Sequence, residues 1–253
     1  MILSHEHRFI FVKGVKVAGT SAEIALSQVC GPDDIITPIT PADERSRLDT
    51  VGEPRNYAKR WLPFGAKRER RFVEQVRSAT DEELRSIKPP RASFHNHMPL
   101  KDVLARLPAA RSYDVVCVER SPYAKVMSMA NWSKHKSEYY NGEKLANSGM
   151  AIAAAVDEII ENGKIRDVLN IGRYRDPDGQ IRANAWKTES LAADIGAFLR
   201  ERGLPPVELV HAKKGVQSDK LAPEKALRPD QIEVINRLFA EEFDRFGWER
   251  IQV

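Results

Sequence analysis

Three short stretches of this 253-residue chain carry side chains suited to holding an anion and moving a proton. The first is Gly14-Val15-Lys16-Val17-Ala18-Gly19-Thr20-Ser21, with the glycine spacing of a phosphate-binding loop. Backbone N–H groups in such a turn, together with the positive end of a following helix, form a nest for a tetrahedral oxyanion, and Lys16 adds a cation within it. The second runs from Glu119-Arg120-Ser121-Pro122 to Ser128. There Arg120 offers a planar fork of donors to a phosphate, and Ser128, two turns into a helix, adds a hydroxyl. The third is the pair His95 and His97 in SFHNHMPL, since imidazole titrates where a general base is useful. The pair has no third and fourth ligand at sensible spacing, so no metal is expected.

The elements that must position these groups read from apolar patterning. Arg8–Lys13 (RFIFVK) is a short apolar, β-branched and aromatic run stopped by Gly14, the mark of a buried strand. From Thr20 to Val29 the apolar residues recur at helical spacing, with Thr20 or Ser21 available as N-cap. Tyr113–Val118 (YDVVCV) is a second core strand, and its continuous apolar character suits a parallel strand covered on both faces. Each anion motif therefore follows a core strand directly.

Residues 31–67, with five prolines and no sustained period, read as an irregular, lid-like excursion. Helices are expected over Arg68–Arg77, from Thr80 to about Ile87, Leu100–Leu107, Tyr123–Lys134, Ser148–Asn162, Ser190–Arg202 and Pro229–Phe246. Short β-like pieces are expected at Leu169–Tyr174 and Gln180–Trp186, around the turn Asp176-Pro177-Asp178-Gly179, and at Val207–Val210. The alternation predicts one α/β domain over residues 1–253, with a mainly parallel sheet flanked by helices.

Lysine and arginine total 40 against 36 acidic residues, a net charge of +4 that suits an anionic ligand and is too small to argue for nucleic acid. Two cysteines, Cys30 and Cys117, rule out a disulfide framework and point to a reduced setting. The start MILSHEHRFIFVK has neither signal-peptide nor anchor form, and no run of eighteen apolar residues follows, so a soluble cytoplasmic protein is expected.

The segment FIFVKGVKVAGTSAE resembles the 5′-phosphosulfate-binding loop of carbohydrate sulfotransferases, through Lys16, Ala18, Gly19, Thr20 and Ser21. Val15 stands where that family commonly has proline, and Val17 where it often has threonine or serine. Arg120 and Ser128 are similar to its 3′-phosphate motif, with Ser121 in place of a frequent aspartate and Lys125 where a second basic residue is common. Lys213-Lys214-Gly215 resembles a loop that contacts the 3′-phosphate in cytosolic members.

The resemblance implies a three-layer sandwich like that of P-loop NTPases. It also implies 3′-phosphoadenosine 5′-phosphosulfate (PAPS) as sulfuryl donor, with no metal and no nucleic-acid partner. Lys16 and the backbone of Val17 to Ser21 would meet the charge that builds up between sulfur and the bridging oxygen. His97 would be the base, with His95 second and His211 in reserve. The acceptor would be a hydroxyl on a carbohydrate or glycolipid, in a bacterial cytoplasmic enzyme. Tyr57, Trp61, Phe64 and Phe72 among the basic residues of 53–77, with Trp132, Tyr139 and Tyr140, are candidates for sugar contact.

Two other readings stay open. One is a small-molecule kinase with a degenerate loop, weakened because Thr20 occupies the place of the lysine that follows the second glycine in triphosphate loops. The other is a non-catalytic nucleotide-binding interaction module.

Overall fold

The computed structural model describes residues 1–58, 64–90, 92–141, 151–210 and 222–253, with the side chains of 135–141 excepted. Along the chain lie β1 (Ile2–Ser4), β2 (Phe9–Val12), α1 (Gly19–Ser27), β3 (Ile35–Ile36), α2 (Pro41–Leu48), α3 (Gly65–Ser78), α4 (Asp81–Leu84) and α5 (Leu100–Arg106). They are followed by β4 (Asp114–Glu119), α6 (Pro122–Asn141), α7 (Ile152–Glu161), β5 (Asn184–Lys187), α8 (Leu191–Glu201), α9 (Pro223–Ala226), α10 (Pro229–Leu238) and α11 (Ala240–Phe246). The chain divides into two compact units, each described by itself.

The first unit comprises Met1–Gly14, Ala18–Val118 and Gly172–Ala212. It holds an open five-stranded sheet in the order β3-β1-β2-β4-β5. Phe9, Ile10, Phe11 and Val12 of β2 are all buried, as a strand covered on both faces requires. β2 and β4 are parallel neighbours, with Phe9 opposite Asp114 and Val12 opposite Cys117. The expected parallel pairing thus holds for the two strands that precede the anion motifs. The sheet is nonetheless mixed, because Ile2–Ser4 folds back on β2 as an antiparallel hairpin and β3 joins β1 antiparallel. The three-residue β1 is too short for its periodicity to stand out in sequence. Phe198 of α8 closes the sheet, packing edge-on against Phe9 at 5.4 Å and Trp186 at 5.1 Å between ring centroids.

The span expected to be irregular contributes β3 and α2 to this unit and buries Asp43, Glu44 and Arg47. Charged residues at a proline-rich start hide this from a periodicity argument. Arg47 pairs with Glu44 at 2.6 Å and donates to the Thr37 carbonyl, which offsets part of the cost of taking a guanidinium out of water, while its Nη1 has no partner among the described residues. The turn at Asp176–Gly179 forms as expected, with Gly179 at φ 80° and Asp176 accepting from the N–H groups of Asp178 and Gln180. Neither Leu169–Tyr174 nor Val207–Val210 is a strand. The first lies around the 3₁₀ turn Ile171–Arg173, and the second has no regular structure.

The second unit comprises Val15–Val17, Glu119–Ile171 and Lys213–Val253. Its core joins Tyr123, Val126 and Ala130 of α6, Val156 and Ile159 of α7, and Ile235, Phe239 and Phe243 near the C-terminus. The long closing helix expected from sequence is two helices, broken at Phe239 (φ −102°, ψ 18°) so that both Phe239 and Phe243 point into this core. Among the described residues, no helix is long and apolar enough to cross a membrane.

Candidate active site

β2 ends at Val12, and the chain then enters the glycine loop through Lys13. Lys16 (φ 63°) and Ala18 (φ 59°) adopt the left-handed conformation, which costs a residue with a Cβ about 1–3 kcal/mol. The second of these turns starts α1: Ala18 is its N-cap and caps with no side chain. The expectation that Thr20 or Ser21 caps the helix is therefore corrected, because both lie inside the first turn, half-buried. The amides of Gly19 and Thr20 have no hydrogen-bond partner among the described residues, the condition of a first-turn N–H group with no cap.

Gly19 is required by a close approach. A Cβ there would lie 2.8 Å from Lys13 Cγ, and Lys13 cannot yield easily, because its buried ammonium pairs with Glu23 of α1 at 2.9 Å. Glu23 also pairs with the amino group of Met1, and Thr37 hydrogen-bonds to both. Lys13 was not among the candidates from sequence, where one lysine ending a strand has no distinguishing signal.

His97 is the third left-handed residue of interest, at φ 59°. Its Nδ1–H donates to the Lys13 carbonyl at 3.1 Å. A carbonyl only accepts, so Nδ1 carries the proton and Nε2 of the neutral ring holds a lone pair. Burial, reinforced by the positive charges of Lys13 and the Met1 ammonium, pushes the His97 pKa down to about 3, so the ring is neutral in the physiological range. Arg173 Nη1 donates to the His97 carbonyl at 3.0 Å and holds the strained backbone. Two buried polar atoms beside this bend, Asn96 Oδ1 and Arg173 Nε, have no partner among the described residues. His95 is exposed, and its Nδ1 donates to the Asn96 carbonyl at 3.0 Å. The structure thus brings His97, not His95, to the end of β2.

In the second unit, Lys16 Nζ lies 5.0 Å from the centre of the Trp132 ring, a cation–π contact. Val17 is buried, with 1% of its surface exposed. Arg120 and Ser128 are half-buried, Arg120 directly after β4 and Ser128 on α6. Lys125 is no phosphate ligand: fully buried, it pairs with Glu119 at 2.8 Å and with Glu242. Tyr57 and Phe72 are core residues and unavailable for stacking on a sugar, whereas Phe64 is 59% exposed. Lys213, Lys214, Gly215, His211 and Trp61 lie outside the described residues, as do the side chains of Tyr139 and Tyr140.

No protein-family model matches the sequence, and no curated protein does either. The crystal structure of a sulfotransferase from Alicyclobacillus acidocaldarius is similar with a TM-score of 0.41 and 17% sequence identity, covering 97% of this chain and 96% of that one. Identity at that level brings no residue correspondence with it.

Proposed function

We propose that this protein is a sulfotransferase that moves a sulfuryl group from PAPS to a hydroxyl of a carbohydrate or glycolipid. The observation that carries the reading is at the end of β2, where His97, in a left-handed conformation, is tied to the residue that leads into the glycine loop. Lys16 and Ala18 turn the glycine loop, and His97 is tied by its ring to Lys13, the residue that leads into that loop. These positions are the loop cation, the loop nest and the base that the family resemblance implies. β4, the parallel neighbour of β2, leads into Arg120, so the two anion motifs leave the sheet from adjacent strands at their carboxyl ends.

The open amides of Gly19 and Thr20, with Lys16, suit the 5′-phosphosulfate, and Arg120 with Ser128 suits the 3′-phosphate. In the transfer, the acceptor oxygen forms a bond to sulfur while the bond from sulfur to the bridging phosphate oxygen breaks. The electron pair leaves with 3′-phosphoadenosine 5′-phosphate (PAP), and the acceptor proton passes to Nε2 of His97. The negative charge of the bound donor offsets Lys13 and the Met1 ammonium, which raises the affinity of His97 for that proton.

The test is calorimetric titration of PAP into the wild type, Lys16→Ala and Arg120→Ala, with magnesium ATP as competitor. Micromolar binding that each substitution weakens about tenfold or more fits charge-assisted phosphate contacts. Preference for magnesium ATP would favour a kinase, and no nucleotide binding would sink the assignment.

A further inference from the structure

A buried polar chain in the second unit joins the two proposed anion anchors. Asn170, with no exposed surface, brackets one residue of the glycine loop: its Oδ1 accepts from the Val15 N–H at 2.8 Å and its Nδ2 donates to the Val15 carbonyl at 3.1 Å. The asparagine side chain thereby imitates a strand partner for the residue immediately before Lys16. Asn170 is held in turn by Glu242 of α11, whose Oε1 accepts from the N–H groups of Asn170 at 2.6 Å and Ile171 at 2.9 Å. The other oxygen of Glu242 pairs with Lys125, and Lys125 pairs with Glu119 Oε2. That same Glu119 oxygen accepts from the Arg120 N–H at 3.2 Å. Every side chain in this path is at least nine-tenths buried, so its hydrogen bonds are shielded from water and geometrically restrictive.

We infer that Asn170 is a positioning residue of the donor site: it fixes the backbone from which Lys16 projects, and the Glu242–Lys125–Glu119 path ties that backbone to Arg120. The consequence is a set spacing between the lysine and arginine anchors, matched to a ligand with one phosphate-type group at each end of a ribose. Selectivity for PAP over adenosine 5′-phosphate then depends on Asn170, although Asn170 touches neither ligand. The inference rests on the donor reading above and adds a residue that the resemblance does not supply.

The experiment measures affinity for PAP and for adenosine 5′-phosphate in the wild type, Asn170→Ala, Lys16→Ala and the double variant, with thermal unfolding as a check on the fold. Asn170→Ala is expected to weaken PAP about tenfold and to lower the PAP preference over adenosine 5′-phosphate by a similar factor. In the Lys16→Ala background it should cost little more, because a residue acting through Lys16 has nothing left to position. Should Asn170→Ala not fold, Asn170→Ser, which keeps a polar group but cannot bracket Val15, is measured in its place with the same expectations. An Asn170 variant that binds PAP like the wild type, or loses the same factor with and without Lys16, overturns the inference and leaves the donor reading intact. A wild type that does not bind PAP overturns both.

Discussion

Each unit buries a charged cluster, and the two clusters are balanced in opposite ways. In the sheet-bearing unit one carboxylate, Glu23, faces the ammonium groups of Lys13 and Met1. Burial alone would raise the pKa of Glu23, but Lys13, the Met1 ammonium and Arg47 outweigh it and hold the carboxyl well below the usual range. In the helical unit one cation, Lys125, serves two carboxylates, Glu119 and Glu242. There burial prevails, with repulsion from Glu119 adding to it, and Glu242 titrates above its ordinary value despite its contact with Lys125. A cluster with cations to spare keeps its carboxylate charged and presses a nearby imidazole towards neutrality. The cluster whose carboxylates share one lysine also accepts backbone N–H groups, those of Arg120, Asn170 and Ile171, and so can steer loop backbone.

Removing the central charge of each cluster has the largest expected effect. Lys125→Met takes the ammonium from between two buried carboxylates, and Glu23→Gln takes the carboxylate from between the Lys13 ammonium and the Met1 amino group. Each should cost about 3–5 kcal/mol near neutral pH, read from urea unfolding. The clusters part company in acid. The loss in Lys125→Met should shrink as pH falls and the carboxylates take up protons, whereas that in Glu23→Gln should not, because the groups it strands are amines, and the Met1 amino group, which burial holds down to about 6, becomes charged in acid. Equal pH trends for the two variants would break the comparison.

A smaller perturbation reaches only the first cluster. Gly19→Ala places a methyl group against the Lys13 stem, whose far end is tied to Glu23, so neither partner can move without loosening the ion pair. Overpacking of this kind costs about 1–3 kcal/mol. Gly19→Ala should also slow the proposed sulfuryl transfer, read from turnover at saturating donor, because Lys13 carries the carbonyl that orients His97. Unchanged stability would mean that Lys13 can yield, and the first cluster is then looser than its burial implies.

The two clusters also mark what can be read from sequence. β2, the glycine loop, β4 and the Arg120 motif are legible because strand, turn and helix signals sit next to one another in the chain, and a histidine in a central loop is a visible candidate. Lys13 is adjacent to the loop but looks like any lysine at a strand end. Asn170 and Glu242 reach their partners across 155 and 72 residues, so no local spacing can pair them. Lys125 falls in a basic position of the resembled motif, yet its side chain turns inward, because α6 presents that position to Glu119 and Glu242. The hairpin strand β1 and the break at Phe239 were hidden for a different reason: both are tertiary choices made by segments too short, or too evenly apolar, to announce them.

The smallest expected effect tests whether the first cluster controls the imidazole. In the unfolded chain His97 takes up a proton near its ordinary value of 6.5, whereas in the fold it resists protonation down to about 3. Between these values the unfolded state binds more protons, so stability should fall as pH falls from 6.5, by at most about 1.4 kcal/mol per pH unit and less for a half-buried ring. His97→Gln should reduce that slope, as seen by comparing urea unfolding of the two proteins at pH 5 and pH 7, leaving the part due to the Met1 amino group, which burial holds down to about 6. Lys13→Met in a second pair of experiments should reduce the slope in part, since burial, the larger cause, remains. Identical slopes in the wild type and His97→Gln would mean that the ring already gains a proton in the fold near pH 6, and the proposed base would then start its work in the wrong protonation state.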